Sequence, residues 1–434
     1  MTVALDIRQY RLGDPKLEEY LATEGTLGVD STTEVEPQVR AILEQVRQRG
    51  LEAVLAYTKQ FDGVDLSPDQ IEVTAEERRA AMDKVPAAQL DALRAAADRI
   101  RAYQSKLIPG SWMDTEGDEC LGQLVLPMDR VGIYVPGGKA VYPSSVLMNA
   151  IPARIAGVPE IIMVTPPGRD GIDPMVLAAA EIAQVDRIFR VGGAHAVAAL
   201  AYGAGLPRVD KIVGPGNKYV AAAKRLVFGT VSIDMIAGPS EILVLADAEA
   251  DPDWIAVDLL SQAEHDEDAV SRFITWAPGL CDKVREALAR HVERIPRGDI
   301  ARTSLARNGL LIEVESAADA VALSNRFAPE HLEICAADAD ELLQDIRHAG
   351  AVFLGYHTPE AAGDYVAGPN HVLPTGGTAR FSSPLGPYDF IKRTSVVRFG
   401  PEALARQATT ITTLADAEGL TAHGDSVRIR TGKL

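Results

Sequence analysis

The feature that most constrains the fold is an alternation of short apolar runs with helical segments through residues 131–354. Nine runs are predicted as strands: Val131–Val135, Glu160–Thr165, Arg187–Val191, Asp210–Val213, Ile242–Leu245, Arg272–Trp276, Leu310–Val314, Leu332–Ala336 and Val352–Leu354. The helical segments include Ser144–Ala156, Pro174–Val185, Ala194–Tyr202, Lys218–Val227, Asp282–Val292 and Ala317–Arg326. This rhythm is typical of βαβ units. We therefore predict an α/β fold with two parallel-type sheets rather than one very wide sheet.

The segments on either side of this region are predicted to be mainly helical. Residues 30–108 carry apolar side chains at spacings of three and four, and Gly50 is a stop signal after the first stretch. A second helical stretch covers Ala75–Tyr103. The composition changes again from about Ser383, and the chain ends in a helical region around Pro401–Ala417.

Charge and cysteine content exclude several classes of protein. The 434 residues include 43 Lys and Arg against 61 Asp and Glu, a net charge of −18, which argues against nucleic-acid binding. The three cysteines, Cys120, Cys281 and Cys335, are widely spaced and favour a reducing compartment. No apolar run is long enough to span a bilayer, and Asp6 and Arg8 interrupt any signal peptide. These features predict a cytoplasmic protein with no membrane partner.

Three glycine-rich turns follow consecutive predicted strands, at Val135–Ala140, Val191–Ala196 and Val213–Val220. Such a turn offers free backbone N–H groups and a helix N-terminus to an anionic ligand. None of them fits G-x-G-x-x-G, because Tyr219 occupies the third glycine position of the last turn. Glycine can also be required for backbone reasons alone. Three turns in consecutive units favour a ligand on that edge of the sheet.

Several polar residues are candidates for chemistry. Gln262 and His265 are three residues apart, so they share a helix face and could bind one metal ion, although Gln is an unusual zinc ligand. Glu330 and His331 are adjacent and could act as general acid and base. Further candidates are in the Gly- and Pro-rich loop Ala362–Pro384 and near the C-terminus: Asp364, Asn370, His371, Glu418 and His423. Taken singly, each segment also has an ordinary structural interpretation.

Together these segments resemble the histidinol dehydrogenase family, in order from about Thr33 to Arg430. The most specific motifs are SQAEHD at Ser261–Asp266 and GPNHVLPT at Gly368–Thr375. The resemblance implies a zinc- and NAD-dependent oxidation of L-histidinol to L-histidine through L-histidinaldehyde. It also implies two Rossmann-like α/β/α domains with small, mainly helical N-terminal and C-terminal extensions.

The implied domain division has four parts. Residues 1–29 form an N-terminal extension, and residues 30–133 with 242–385 form a first α/β domain that carries the zinc and substrate site. Residues 134–241 form an inserted NAD-binding domain, and residues 386–434 form a helical dimerisation segment. The family is homodimeric, and the C-terminal segment of each subunit completes the other's active site.

The resemblance also assigns roles residue by residue. Glu330 and His331 match the acid/base pair, in which His331 takes the alcohol proton and Glu330 activates the water that attacks the aldehyde. The implied zinc ligands are Gln262, His265, Asp364 and His423. The implied substrate contacts are Ser240, Gln262, His265, His331, Asp364, His371, Glu418 and His423. The implied NAD contacts are Tyr134, His195 and Asn217.

One position departs from the family pattern, since this chain reads GGAHA, with His195, where the family usually has glutamine. An imidazole can replace one amide hydrogen bond, so we expect NAD binding to persist with altered affinity or pH dependence. Three alternatives remain open: a paralogue that oxidises another primary alcohol such as a sulfonated diol, a zinc hydrolase that uses Glu330, and a catalytically inactive paralogue. Mn²⁺ or Co²⁺ could also occupy a mixed nitrogen and oxygen site.

Overall fold

The computed structural model describes residues 5–23, 30–137 and 142–434. Within these ranges the strands are β1 (Arg8–Arg11), β2 (Trp112–Glu116), β3 (Glu119–Pro127), β4 (Arg130–Tyr134), β5 (Glu160–Thr165), β6 (Arg187–Arg190), β7 (Lys211–Val213), β8 (Ser232–Ile233), β9 (Glu241–Ala246), β10 (Val270–Thr275), β11 (Leu310–Glu313), β12 (His331–Cys335), β13 (Ala351–Leu354) and β14 (Ile391–Phe399).

The helices of the described residues are α1 (Pro15–Thr23), α2 (Asp30–Arg49), α3 (Leu51–Asp62), α4 (Ala75–Met82), α5 (Ala87–Gln104), α6 (Pro143–Ile155), α7 (Pro174–Ile182), α8 (Gly193–Tyr202), α9 (Lys218–Val227), α10 (Pro252–Ala263), α11 (Leu280–His291), α12 (Gly298–Asn308), α13 (Ala317–Phe327), α14 (Ala339–Leu343), α15 (Glu360–Ala362), α16 (Pro401–Ala417) and α17 (Thr421–Arg430). A π-helical segment, Gly363–Ala367, follows α15, and two 3₁₀ turns cover Thr378–Arg380 and Pro387–Phe390.

The described strands form three sheets. Sheet I is parallel, with the strand order β1-β11-β10-β9-β12-β13, and sheet II is parallel, with the order β6-β5-β4-β7-β8. Sheet III is antiparallel, with the order β14-β3-β2. The two parallel sheets confirm the predicted α/β fold class.

The predicted strands agree with the observed ones because most of them are central strands. All six residues of β9 and of β10 are buried, since helices cover both faces of a parallel sheet. Such strands read as continuous apolar runs in a sequence. The prediction is correct to the residue for β5 and for α9, and it differs by one or two residues at β4, β10 and β12.

The N-terminal segment contributes a strand to sheet I. This strand was not predicted, since the N-terminal extension was expected to be mainly helical. Strand β1 pairs in parallel with β11, and Arg8 lies opposite Leu310. After it, α1 buries Leu17 and Tyr20 in the core on one face of sheet I. A four-residue edge strand rich in Arg and Gln has no apolar run to announce it. Residues 1–4 and 24–29 of the predicted extension lie outside the described residues.

Helices α2 to α5 pack on sheet II, whereas the predicted division assigned residues 30–133 to the first domain. Val39 of α2 and Val54 of α3 belong to the same core as Val164 of β5. Ile100 of α5 shares the core on the other face with Met148 of α6. Strand β4 of sheet II also begins at Arg130, before the predicted boundary at 134. An amphipathic helix face does not specify which of two similar sheets it will cover, so sequence spacing could not make this assignment.

The C-terminal segment begins with a strand. Residues 386–434 were predicted to be helical, but β14 pairs along nine residues with β3 before α16 and α17 follow. Most of β14 is exposed, and charged residues interrupt its sequence IKRTSVVRF, so it lacks the apolar run of a central strand. No helix among the described residues has the length and apolar content needed to cross a membrane.

Asp118, in the turn between β2 and β3, anchors the start of α16. Its carboxylate accepts hydrogen bonds from the N–H of Glu402 at 2.8 Å and of Ala403 at 3.0 Å. Its carbonyl oxygen accepts the N–H of Gly400 at 2.8 Å. A helix N-terminus leaves such N–H groups without intrahelical partners. The carboxylate therefore performs the role of an N-cap from a different element of the chain.

Asp118→Ala is expected to destabilise the first turn of α16 by about 0.5–2 kcal/mol, the usual contribution of an N-cap. Hydrogen exchange of the amides of Glu402 and Ala403 should become faster, while amides in β9 should be unaffected. Asp114→Ala, which removes an exposed carboxylate from β2 of the same sheet, is the matched control. Equal exchange rates in Asp118→Ala and in the control would show that Asp118 does not cap α16.

Candidate functional site

A cluster of polar side chains lies at the amino-terminal edge of sheet I, where β9 and β12 begin. The strands are parallel, and His331 lies opposite Ile242 in the register. Helix α10 runs back from β9 toward this edge, so its last turn brings Gln262 to the same place and His265 follows just after the helix ends. The common ligand position in open α/β sheets is the opposite, carboxyl edge. The fold therefore brings together two pairs that were predicted separately: Gln262 with His265, and Glu330 with His331.

The backbone of Glu241 holds both predicted acid/base residues. The N–H of Glu241 donates to Glu330 Oε2 at 2.9 Å, and the carbonyl oxygen of Glu241 lies 3.0 Å from His331 Nδ1. Because a carbonyl can only accept, His331 carries its proton on Nδ1. His331 Nε2 then presents a lone pair, and it is buried without a hydrogen-bond partner among the described residues. This geometry makes Nε2 available as a proton acceptor.

The side chain of Glu241 is itself fixed. One carboxylate oxygen accepts the N–H of Gly376 at 2.7 Å, and the other lies 3.0 Å from Arg272 Nη1. Both members of this ion pair are buried. Glu241 was not predicted, because a single glutamate in the strand EILVLA gives no spacing signal.

Burial shifts the ionisation of the acid/base pair in opposite directions. Burial raises the pKa of Glu330 well above its usual range, and the charges of Glu241 and Asp364 act in the same sense. Burial lowers the pKa of His331 to about 3, so its imidazole is neutral at physiological pH. Both effects follow from the cost of a charged group in a low-dielectric environment. A neutral imidazole can accept a proton, and a carboxyl group with a raised pKa is a stronger base when it ionises.

Gln262 links the helix to a carboxylate that was not predicted, Glu360. In the amide orientation that satisfies its surroundings, the nitrogen lies 3.0 Å from Glu360 Oε1 and 3.2 Å from both Glu360 Oε2 and His331 Nδ1. Because the Nδ1 proton is donated to the Glu241 carbonyl, the amide donates to Glu360. The other end of the amide, 3.3 Å from His265 Nδ1, is then the oxygen. Amide oxygen and imidazole nitrogen therefore lie together, in a combination that can bind a divalent cation.

Asp364 and Glu360 complete a cluster that could hold a metal ion. One ligand atom from each of His331, Glu360 and Asp364 lies within 4.8 Å of the other two. Burial raises the pKa of Asp364 to about 6, and burial together with neighbouring carboxylates raises the pKa of Glu360 well above its usual range. A bound cation would offset the repulsion between these buried carboxylates. The donor set of His331, Glu360 and Asp364 therefore fits a metal ion, and the Gln262 amide adjoins it through Glu360, whereas His265 is not one of its members.

The remaining predicted substrate residues divide into two groups. Ser240 directly precedes β9, and its carbonyl oxygen accepts the N–H of Val270 at 2.9 Å. Burial lowers the pKa of His371 to about 4, and a hydrogen bond to the backbone of Asp364 opposes the shift. By contrast, Glu418 and His423 are exposed at the junction of α16 and α17. Among the described residues, neither has a hydrogen bond or ion pair with the cluster, so a single chain does not bring them to it.

The predicted NAD residues Tyr134 and Asn217 lie at the carboxyl edge of sheet II. The hydroxyl oxygen of Tyr134, at the end of β4, accepts the N–H of Gly193 at 3.0 Å. Asn217 caps α9, and its Oδ1 accepts the N–H of Tyr219 at 3.0 Å. Residues 138–140 of the first glycine-rich turn lie outside the described residues. The second and third turns therefore meet around Tyr134.

Gly214 requires glycine at the third turn. Its φ is +111°, and a Cβ atom there would lie 2.2 Å from the carbonyl oxygen of Tyr134. A buried ion pair holds the turn: Asp234 Oδ2 accepts the Gly214 N–H at 2.7 Å, and Lys224 Nζ donates to the Gly214 carbonyl at 2.9 Å. Lys224 and Asp234 also contact each other directly. This ion pair was not predicted. A lysine on the buried face of α9, Lys224, was the sequence feature that could have indicated it.

His195 is buried between α8 and α3, with 1% of its surface exposed. Its Nε2 lies 3.2 Å from Thr58 Oγ1, and the Thr58 hydroxyl donates to the carbonyl oxygen of Val54. The hydroxyl proton is thus engaged, so His195 Nε2 carries the donated proton and Nδ1 is an acceptor. Nδ1 is buried without a partner among the described residues, and burial lowers the pKa of His195 to about 4.

Comparison with known proteins gives a consistent result over the whole chain. A model of the histidinol dehydrogenase family matches residues 28–431. A protein of Syntrophotalea carbinolica described as histidinol dehydrogenase is 56% identical over 398 residues, 91% of this chain and 92% of that protein. The histidinol dehydrogenase of Pseudomonas aeruginosa is 53% identical over 435 residues, 99% of this chain and 98% of that protein.

A solved structure agrees with the observed fold. The crystal structure of histidinol dehydrogenase from Elizabethkingia anophelis superposes with a TM-score of 0.92 at 33% sequence identity, and 98% of each chain is covered. The family match, the two full-length relatives and this structure agree with one another. The chain belongs to the histidinol dehydrogenase family.

Proposed function

We propose that this chain oxidises L-histidinol to L-histidine with two equivalents of NAD, through L-histidinaldehyde. The balanced reaction consumes one water and releases two NADH and three protons. The observation that carries the proposal is the pair Glu330 and His331, both held by the backbone of Glu241, with Gln262 and Asp364 beside His331. One proton acceptor and one carboxylate at a common position suit an oxidation followed by addition of water.

His331 takes the proton of the alcohol at Nε2 as the first hydride leaves. The Nδ1 hydrogen bond to Glu241 fixes this tautomer, and burial keeps the imidazole neutral. Glu330 then removes a proton from the water that attacks the aldehyde carbon. Its carboxylate lies 3.8 Å from Nδ1 of the same imidazole, so the two residues are neighbours at one end of the site. The second hydride leaves the hydrated aldehyde, which becomes the carboxylate of the product.

Zinc is the proposed metal, held by Gln262, His265 and Asp364 with His423 of the partner subunit. When bound, zinc holds the imidazole and amino nitrogens of the substrate and so orients its alcohol. The amide oxygen of Gln262 is directed by the Glu360 carboxylate, which engages the amide nitrogen. His331, Glu360 and Asp364 are a second possible set of ligands, and the two sets share Asp364. Ser240, His371 and Glu418 are proposed substrate contacts, and a carboxylate such as Glu418 suits a cationic substrate.

NAD is the proposed hydride acceptor, bound at the glycine-rich turns of sheet II by Tyr134, His195 and Asn217. Tyr134 is already fixed by its hydrogen bond to the second turn. His195 offers Nδ1 as an acceptor, whereas the glutamine typical of the family offers both a donor and an acceptor. The affinity for NAD is therefore expected to differ from that of a chain with glutamine at this position.

We also propose a homodimer in the cytoplasm, with the active site shared between subunits. Exposed apolar side chains on the C-terminal segment support a partner there: Val397 is 66% exposed, Leu414 is 59% exposed and Ile429 is 61% exposed. Exposed apolar surface of this kind is typical of a protein interface. The three cysteines are free and buried, which fits a reducing compartment.

The first test is the stoichiometry of NADH formation. Purified protein with limiting L-histidinol and excess NAD should give two NADH per substrate, lose activity with a metal chelator and regain it with zinc. One NADH per substrate would mean that the aldehyde escapes, which would contradict the role of Glu330. No NADH from folded, zinc-loaded protein would contradict the proposed substrate, and a panel of other primary alcohols, including a sulfonated diol, would then identify the class oxidised.

The shared site is tested by mixing subunits. His331→Ala and His423→Ala are each expected to abolish activity as homodimers. A heterodimer of the two contains one site with both histidines intact, so it should recover up to about half of the wild-type activity per dimer by counting intact sites. A confirmed heterodimer without activity would contradict a site completed by the partner. Mixing two His331→Ala preparations with different affinity tags is the control for the exchange procedure.

The role of His195 is tested by His195→Gln. The loss or gain of one hydrogen bond is expected to change the KM for NAD by about 2- to 10-fold, corresponding to about 0.5–1.5 kcal/mol. Because its pKa of about 4 lies below the ordinary value of 6.5, His195 stays neutral from pH 6 to 9. The ratio of the two KM values should therefore be constant over that range. His291→Gln, at a histidine paired with Asp253 on α10, is the control.

Two results would contradict these expectations for His195. An unchanged KM for NAD at every pH would show that His195 makes no contact that matters for cofactor binding. A ratio that changes near pH 6.5 would show that its imidazole ionises there and that burial does not keep it neutral.

A further inference from the structure

The segment of residues 363–372, which carries Asp364 and His371, is docked on helices that cover sheet II. Gln262, His265, Glu330 and His331 come from sheet I and its helix α10, so the two parts of the site have different supports. At the end of this segment, Asn370 is buried, and its Nδ2 donates to the carbonyl oxygen of Met148 in α6 at 2.7 Å. Its Oδ1 accepts the N–H of Val372 at 2.9 Å. The end of the segment therefore takes its position from the core of the other sheet, while its start, at Gly363, packs against Phe353 of β13.

Helix α5 holds the middle of the same segment. Arg99 Nε donates to the carbonyl oxygen of Val366 at 2.5 Å, two residues after Asp364. Gln104, which is buried, donates from Nε2 to the carbonyl oxygen of Gly368 at 3.3 Å. Both contacts satisfy backbone groups of the segment from side chains more than 260 residues away in sequence.

Gly368 allows a close approach that another residue would prevent. Its φ is +107°, and a Cβ atom there would lie 2.8 Å from the carbonyl oxygen of Arg99 and 2.8 Å from Tyr103 Cβ. An added methyl group would have to push the segment away from the backbone of α5. Gly368 therefore packs directly against the backbone of α5. The atoms that a Cβ would meet, the Arg99 carbonyl oxygen and Tyr103 Cβ, cannot move aside by a change of side-chain rotamer.

The backbone that presents Asp364 is π-helical, from Gly363 to Ala367. A π-helical turn is rare, and it commonly occurs at functional sites. It displaces the following residues relative to a regular α-helix, so contacts outside the turn are needed to keep it in place. Arg99 and Gly368 provide two of these contacts on the α5 side.

We propose that α5, through Arg99 and its close packing with Gly368, positions Asp364 for a divalent cation. This inference rests on the proposed function, because it takes Asp364 to be a metal ligand. Arg99 and Gly368 are positioning residues, since neither is among the groups of the cluster that could bind the metal. The metal affinity of a site based on sheet I is then set in part by a helix that belongs to the core of sheet II.

The test is the zinc affinity of the full chain, measured by competition with a chromogenic zinc chelator. Arg99→Ala and Gly368→Ala are each expected to weaken zinc binding by about 10-fold, the scale of outer-shell substitutions at metal sites. Arg99→Lys should recover part of the loss, because lysine keeps a donor for the Val366 carbonyl. Arg94→Ala is the matched control, since Arg94 is exposed on the same helix and, within the described part of the chain, pairs with its near neighbour Asp91 at 3.2 Å.

Two further measurements separate positioning from general damage. The KM for NAD should stay within about 2-fold of the wild-type value in Arg99→Ala, since disruption of α5 as a whole would disturb the core of sheet II. Asp364→Asn should weaken zinc binding more than either positioning variant. A rise in the KM for NAD parallel to the loss of zinc would show that Arg99 acts on the fold in general and would overturn the inference.

The remaining outcomes distinguish this inference from the proposed function. If Asp364→Asn binds zinc as tightly as the wild-type chain, the proposed ligand set is wrong and the inference falls with it. If Asp364→Asn weakens zinc binding while Arg99→Ala and Gly368→Ala do not, the proposed site stands and the positioning role of α5 is wrong.

Discussion

The site depends above all on the first residue of β9. The N–H and the carbonyl oxygen of Glu241 orient Glu330 and His331, while its carboxylate is held by Arg272 and Gly376. A buried carboxylate without its partner would carry a large desolvation cost, so the ion pair with Arg272 must stay intact once formed. The same residue thus fixes the start of β9, the position of the Gly376 loop and the tautomer of the proposed base.

The candidate functional residues lie at opposite edges of the two parallel sheets. The polar cluster lies where β9 and β12 begin, whereas the glycine-rich turns lie where β4, β6 and β7 end. A reaction that uses groups from both edges requires the cores of the two sheets to keep a fixed distance and orientation. Helices α5 and α6 cover sheet II and yet hold the segment that carries Asp364 and His371, so they supply part of that relation. The packing of residues 30–104 on sheet II, which differs from the predicted domain division, is what makes this possible.

The sequence predicts the parts of the structure that are locally encoded. Central strands such as β5 and β9 are continuous apolar runs, and they were found within a residue or two. Edge strands β1 and β14 were missed because half-exposed strands need no apolar run. Glu330 and His331 are adjacent in sequence, so their association was evident. Glu360 and Glu241 were missed because they reach the cluster only through tertiary contacts that no spacing rule describes.

His195 shows what a family pattern leaves undetermined. The motif identifies the position, and the resemblance implies contact with NAD, but neither specifies a tautomer or a charge. Those properties come from Thr58, whose hydroxyl is already engaged with Val54, and from burial against α3. The His195 imidazole is therefore a neutral hydrogen-bond acceptor at Nδ1. Helix α3, more than a hundred residues earlier in the sequence, sets this state through Thr58.

The carboxylates of the cluster lead to a similar conclusion about the metal. The pKa values of Glu330, Glu360 and Asp364 are all raised, first by burial, and for Glu330 and Glu360 also by neighbouring carboxylates. Burial thus favours the protonated form of each of these groups. A divalent cation reverses that preference for the groups it binds, so its binding and the ionisation of the cluster are coupled. Glu360 need not be a ligand to matter, because it engages the nitrogen of the Gln262 amide and thereby turns the oxygen toward His265. Glu360, which is absent from the implied ligand set, thus favours the orientation in which the Gln262 amide oxygen would be free to bind the proposed metal.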